Sequence, residues 1–133
     1  MILADTSVWI DYFNGRENKY TDALDSHLDG DTVAMGDLIF LEILQGFKND
    51  KDYNQAKTTL KALGQYEMLS GEIALTGADN YRFLRKMGIT IRRTTDVIIA
   101  TFCIENKVPL LFSDRDFLPF VEHLKMKSAL RET

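Results

Sequence analysis

The chain has a single cysteine, Cys103, which excludes an intramolecular disulfide and any zinc site built from several cysteines. A reducing cytoplasm is the simplest setting for such a chain. Its N-terminus carries no basic stretch ahead of a long apolar run, the pattern of a secretory leader. The longest apolar runs fall far short of the roughly 20 residues that span a bilayer. No internal repeat, low-complexity tract or Pro/Gly-rich linker interrupts it. Histidine is scarce too: His27 and His123 sit among acidic and aliphatic neighbours on expected surface helices, so imidazole is not the expected basis of its chemistry. Finally there is no cationic excess. A net charge of −4 and an isoelectric point near 5.1 argue against a protein that coats nucleic acid without specificity. They leave open an enzyme acting on nucleic acid, because bound cations and local basic clusters reverse the field at a site.

What is present fits one domain over residues 1–133, with an apolar fraction of 45%, enough for one well-formed core. Short apolar runs predict strands at residues 2–4, 32–35 and 109–112, and a further short strand at 67–69. Between them, apolar periodicity predicts a helix after Thr6 or Ser7, which can cap it, and a stop at Asn14-Gly15. Further helices are expected at 20–28, 38–47, 53–63 and 72–87, and at 96–105 with Thr94 or Thr95 as its cap. A turn or short helix from Asp114 leads into a charged C-terminal segment. Strands alternating with helices imply an α/β architecture around a mostly parallel sheet.

Four carboxylates stand out because each lies beside apolar sequence. Asp5 ends Met1-Ile-Leu-Ala, Glu42 interrupts Leu38-Ile-Phe-Leu-Glu-Ile-Leu44, Asp96 precedes Val97-Ile-Ile-Ala100, and Asp114 follows Val108-Pro-Leu-Leu-Phe-Ser113. A buried, unpartnered charge costs several kcal/mol, roughly, so such groups are paired or hold metal. In parallel sheets ligands bind beyond the carboxyl ends of the strands, where Asp5 and Asp114 fall. Asp96 lies in the first turn of a helix; Glu42 projects from mid-helix, and the sequence permits a helix packed across the same edge to deliver it to the other three. With no evident cationic partner next to any of them, the set suits a hard divalent cation, magnesium or manganese, which prefers oxygen ligands. Thr6 and Ser113 add hydroxyls nearby. Such a pocket supports phosphate-ester hydrolysis, with Glu42 or Asp114 orienting or deprotonating the attacking water.

Plainer readings exist for each group. Asp5 can be a helix cap, Asp96 can complement the helix dipole, and Asp114-Arg-Asp116 can be a simple turn. Glu42 can reach water or pair with a lysine. Two basic clusters, Lys48/Lys51/Lys57/Lys61 and Arg82/Arg85/Lys86/Arg92/Arg93, are either solvated helix surface or phosphate contacts. Arg92 and Arg93 are the better candidates for phosphate contacts because they directly precede the Asp96 motif. Tyr12, Phe13, Phe47 and Tyr53 fit packing better than base stacking, and Trp9 and Cys103 fit the core.

Taken together, Asp5-Thr-Ser-Val-Trp-Ile-Asp11, Glu42 in an apolar helix, Thr95-Asp96-Val-Ile-Ile-Ala100 and Leu110-Leu-Phe-Ser-Asp-Arg-Asp-Phe117 resemble PIN-domain ribonucleases. The resemblance spans nearly the whole chain, and the compact length is most similar to the VapC-type toxins of prokaryotic toxin–antitoxin pairs. It implies a three-layer sandwich with a mostly parallel central sheet flanked by helices, and Mg2+- or Mn2+-dependent endoribonuclease activity. It also implies structured RNA such as tRNA or rRNA as substrate, a cognate antitoxin that blocks the acidic pocket, and a homodimer. Carried over by motif, Asp5 and Asp96 are the principal metal ligands. Glu42 and Asp114 complete the catalytic set, with Thr6, Ser113 and Asp116 in support. Either carboxylate of Asp114-Arg115-Asp116 can point inward, and alternation after the strand favours Asp114. The competing readings are a non-enzymatic, cation-stabilised binding module and a receiver-like phosphoacceptor. The latter lacks a convincing early acidic pair and downstream lysine.

Overall fold

The computed structural model describes residues 1–130. Four strands and seven helices follow one another as β1 (Leu3–Ala4), α1 (Thr6–Phe13), α2 (Lys19–Asp29), β2 (Ala34–Gly36), α3 (Asp37–Gln45), α4 (Asp50–Lys61), β3 (Gly64–Tyr66), α5 (Gly71–Lys86), α6 (Thr94–Asn106), β4 (Leu110–Leu111) and α7 (Leu118–Leu124). A 3-10 turn, Arg115–Phe117, precedes α7.

Among the described residues every strand pairing is parallel. Leu3 and Ala4 of β1 lie opposite Leu110 and Leu111 of β4, and Ala34 to Gly36 of β2 lie opposite Gly64 to Tyr66 of β3. A parallel bridge between Ile2 and Val33 joins the two pairs, and a second ties Leu110 to Ser128. The sheet therefore runs β3-β2-β1-β4. Parallel neighbours need crossovers, and the intervening helices supply them. Both residues of β1 and of β4, and Ala34 and Met35 of β2, are buried, the near-continuous apolar pattern of strands covered on both faces. Helix α1 packs on α2 and α3, while α5 packs on α6 and α7. This is the expected three-layer α/β sandwich.

Several boundaries differ from the sequence reading. The short strand is Gly64–Tyr66, not residues 67–69. Met68 is instead fully buried, and its backbone N–H donates to Asp37 Oδ1 at 3.0 Å rather than to a strand. Gly36, at the end of β2, makes room for it: a Cβ at residue 36 would lie 2.2 Å from the Met68 sulfur. Neither Thr6 nor Ser7 caps α1. Asp5 occupies that position, and the two hydroxyls bond carboxylates instead, Thr6 that of Glu42 and Ser7 that of Asp5. Likewise Arg93, not Thr94 or Thr95, is the residue that enters α6.

Trp9 is buried, stacked on Phe13 with ring centres 5.9 Å apart and edge-on to Tyr12 at 6.1 Å. Cys103 is in the core, where burial pushes its thiol up to about 12, so it is no nucleophile at neutral pH. Among the described residues no helix is long and apolar enough to cross a membrane.

Candidate active site

The carboxyl ends of β1 and β4 and the N-terminal turn of α6 deliver the acidic residues to one edge. Asp5 continues directly from β1, its N–H donating to Leu111 O at 2.8 Å, and only 3% of it is exposed. Its side chain forms no regular capping bond to α1, although the Thr6 and Ser7 amides that face it help to hold its pKa down. It accepts instead from Ser7 Oγ at 2.9 Å. Burial pushes the Asp5 carboxyl above its usual range, the Ser7 hydroxyl opposes that rise, and the charge of Glu42 adds to it. Ser7 Oγ also lies 3.4 Å from Ser113 Oγ, linking the ends of the two central strands. Sequence reasoning named Ser113 but treated Ser7 only as a cap. Its spacing of two from Asp5 was the available signal.

Glu42 is half-buried on α3, whose Ile39 and Ile43 are buried in the core. Thr6 Oγ1 donates to Glu42 Oε1 at 3.0 Å, so the mid-helix glutamate is directed toward the start of α1.

Among the described residues Asp96, Asp114 and Asp116 gather most closely, with a carboxylate oxygen from each lying within 4.8 Å of the others. Asp5 and Glu42 stand outside this trio, although Asp5 is close enough to raise the Asp96 pKa. Asp96 is 2% exposed and its pKa is raised to about 6: burial is the largest cause, Arg93 opposes it, and the charges of Asp5 and Asp114 reinforce it. Asp114 enters the 3-10 turn, its Oδ1 accepting from Asp116 N at 2.9 Å. The two candidates of the Asp114-Arg115-Asp116 stretch are therefore both drawn into the cluster.

Contrary to the expectation of carboxylates without cationic partners, two consecutive arginines reach the trio. Arg93 donates through Nε to Asp96 Oδ2 at 3.2 Å and through Nη2 to Asp114 Oδ2 at 2.9 Å. Arg92 donates through Nε and Nη2 to Asp116 Oδ2, at 3.3 and 2.8 Å. The Arg93–Asp96 spacing of three on one helical turn was visible in the sequence. Its second partner, 21 residues away, was not.

Elsewhere the expected bystanders stay apart. His27 Nδ1 is 2.8 Å from Thr32 Oγ1, and His123 lies beside Glu122. Tyr12, Phe13 and Phe47 pack partly buried against the core, and Lys57 sits over the Tyr53 ring. A cleft of about 550 Å³, lined by Tyr20, Phe112, Ser113, Arg115 and Leu118 among others, opens next to Ser113.

Five carboxylates against two guanidiniums leave an excess of negative charge around the buried Asp5 and Asp96, and all the donors are oxygens. That donor set fits a hard divalent cation. The PIN domain family model matches residues 2–120.

The chain belongs to the PIN-domain family.

This PIN domain is 28% identical over 119 residues to VapC ribonuclease Mb1587 of Mycobacterium bovis, covering 88% of this chain and 89% of the relative. The same figures hold for ribonuclease VapC11 of Mycobacterium tuberculosis. Among solved structures it is similar to VapBC2 from Rickettsia felis bound to a DNA fragment from its promoter, with a TM-score of 0.75 and 17% identity over 99% of this chain and 100% of that one. A toxin–antitoxin complex from Klebsiella pneumoniae matches with a TM-score of 0.70 and 17% identity, again over 99% and 100%. FitAcB from Neisseria gonorrhoeae matches at 0.69 with 19% identity over 96% of each chain. These structural likenesses establish the fold that the sequence motifs led us to expect.

Proposed function

We propose that this PIN domain is a divalent-metal-dependent endoribonuclease and the toxin of a VapBC-type toxin–antitoxin pair. The observation that carries the reading is the gathering of Asp96, Asp114 and Asp116 within 4.8 Å, with Asp5 buried beside them, at the carboxyl edge of a parallel sheet. Similarity to VapC ribonucleases over 88% of the chain supports RNA as the substrate.

Asp5 and Asp96 would hold the cation, Mg2+ or Mn2+, with Asp114 completing the pocket and Asp116 in support. Such a cation, when bound, polarises the phosphoryl oxygen and offsets the charge that develops on it. Glu42 is directed by Thr6, which occupies Oε1 and leaves Oε2 to accept a proton from the attacking water. Ser7 and Ser113, 3.4 Å apart, hold the strand ends in register and present hydroxyls to ligands at the edge. Attack of water on phosphorus with loss of the 3′ oxygen leaves a 3′-hydroxyl and a 5′-phosphate. Structured RNA, such as tRNA or an rRNA loop, is the substrate class. Arg92 and Arg93 stand at the rim as phosphate contacts.

The protein acts in the cytoplasm as a homodimer, and a basic side chain of its antitoxin enters the acidic pocket. The test is to incubate partner-free protein with tRNA and rRNA transcripts in Mg2+ or Mn2+ and to analyse the product ends. Cleavage leaving 5′-phosphates, suppressed when the antitoxin is added back, is the expected result. RNA binding without any cleavage would mark a cation-stabilised binding module instead.

A further inference from the structure

Arg93 is placed between two carboxylates of the proposed metal site, the ligand Asp96 and its neighbour Asp114. One guanidinium spans Asp96 and Asp114, bonding a different nitrogen to each at 3.2 and 2.9 Å. In both residues the accepting atom is Oδ2, so the arginine takes oxygens that a cation would also need. The surroundings make this cation replaceable. The Arg93 side chain is 53% exposed whereas that of Asp96 is 3% exposed, so the guanidinium has a path outward and the carboxylate has none. Water and salt compensate the exposed guanidinium as it leaves, and the entering cation takes over the charge of the buried Asp96, which would otherwise be costly to leave unpaired. Its backbone, at the entrance of α6 with φ −117° and ψ 127°, need not move for the side chain to swing away. Arg92 is a built-in comparison: it is equally cationic and adjacent in sequence, yet it touches only Asp116.

We propose that Arg93 is a resident competitor for the metal, bridging Asp96 and Asp114 in the metal-free protein and leaving that pair when a divalent cation enters. This rests on the metal-dependent reading above and adds a regulatory property to it. Apparent metal affinity is set by the difference between filling the site and releasing the arginine. The bridge also keeps neighbouring carboxylates from repelling one another before the cation arrives. A fork-shaped guanidinium can span two carboxylates, whereas a lysine ammonium acts as a point charge.

The test is calorimetric titration of MnCl2 into chelator-stripped wild type, Arg93→Gln, Arg93→Lys and Arg92→Gln, each first shown to be folded by its melting curve. Arg93→Gln is expected to bind Mn2+ about fivefold more tightly than wild type, the equivalent of removing one weak competing ion pair. Arg93→Lys should fall between them, and Arg92→Gln should change less than Arg93→Gln. Weaker or unchanged binding by Arg93→Gln would overturn the proposal and make the arginine a support for Asp96. Equal tightening in Arg92→Gln would also overturn it, by reducing the effect to bulk charge. Failure of the wild type itself to bind Mn2+ would instead remove the metal reading, and this inference with it.

Discussion

Thr6 and Glu42, 36 positions apart, meet in a 3.0 Å hydrogen bond from the threonine hydroxyl to Oε1 of the glutamate. The bond joins the first residue of α1 to the middle of α3 and fixes which carboxylate oxygen stays free for water. Replacing Thr6 by valine keeps the shape and removes the donor. Cleavage by Thr6→Val should fall about five- to tenfold, the rate equivalent of one hydrogen bond worth about 1 kcal/mol. Thr6→Ser should retain most activity. Steady-state kinetics on one RNA substrate checks both, and equal losses in the two variants would contradict a role for the hydroxyl.

Asp96 gives the metal-free protein a defined pH dependence. Its folded pKa of about 6 lies above the ordinary 3.8, so the fold favours the protonated form. The stability from that preference is fully present below about pH 3.8 and is lost as pH rises through about 6. In chelator, Asp96→Asn should therefore melt higher than wild type at pH 7.5, with the difference shrinking toward pH 4. Added Mn2+ should raise the wild-type melting temperature above pH 6 and leave Asp96→Asn nearly unchanged. A difference between the two proteins that ignores pH would contradict the stated cause.

Asp114 and Asp116 are separable by mutation. Asp114 both accepts from Arg93 and caps the 3-10 turn, whereas Asp116 is bonded to the outer Arg92. Asp114→Asn is expected to lower cleavage on the order of 100-fold and Asp116→Asn roughly tenfold, as a ligand or base should exceed a helper. The reverse order would make Asp116 the inner carboxylate.

Gly36 tests the packing that carries α3. A Cβ there would sit 2.2 Å from the Met68 sulfur, so Gly36→Ala should cost about 1–3 kcal/mol in urea unfolding. Adding Met68→Ala removes the obstructing sulfur, and the double variant should lose less than the two single losses combined, by at least about 0.5 kcal/mol. Strict additivity would mean that the glycine is needed for some other reason.

The central strands and their acids were legible because burial leaves a direct trace: Leu3–Ala4 and Leu110–Leu111 sit in apolar runs that end at a carboxylate. Glu42 was legible by contrast, as the charge that interrupts the apolar run of its helix. The edge strand was not, since Gly64, Gln65 and Tyr66 are all exposed and carry no apolar signal, while Met68 beyond them is buried and imitates one. Thr6 and Ser7 were offered as caps because a cap needs only neighbours, whereas Thr6 bonds Glu42 from a distant segment and Ser7 bonds the Asp5 carboxylate and lies 3.4 Å from the distant Ser113. The Arg93–Asp114 bond was hidden for the same reason. A contact with Asp114 depends on how α6 and the end of β4 meet, and no local spacing encodes that.

The most direct test of the account is cleavage of total cellular RNA by wild type and Asp96→Asn, with Mg2+, Mn2+ or chelator, followed by mapping of the new 5′ ends. Both proteins must first be shown folded, partner-free and clear of contaminating nuclease. The account predicts discrete cuts by the wild type with metal, none with chelator and none with Asp96→Asn. Identical cuts by both proteins, or cleavage that persists in chelator, would contradict it.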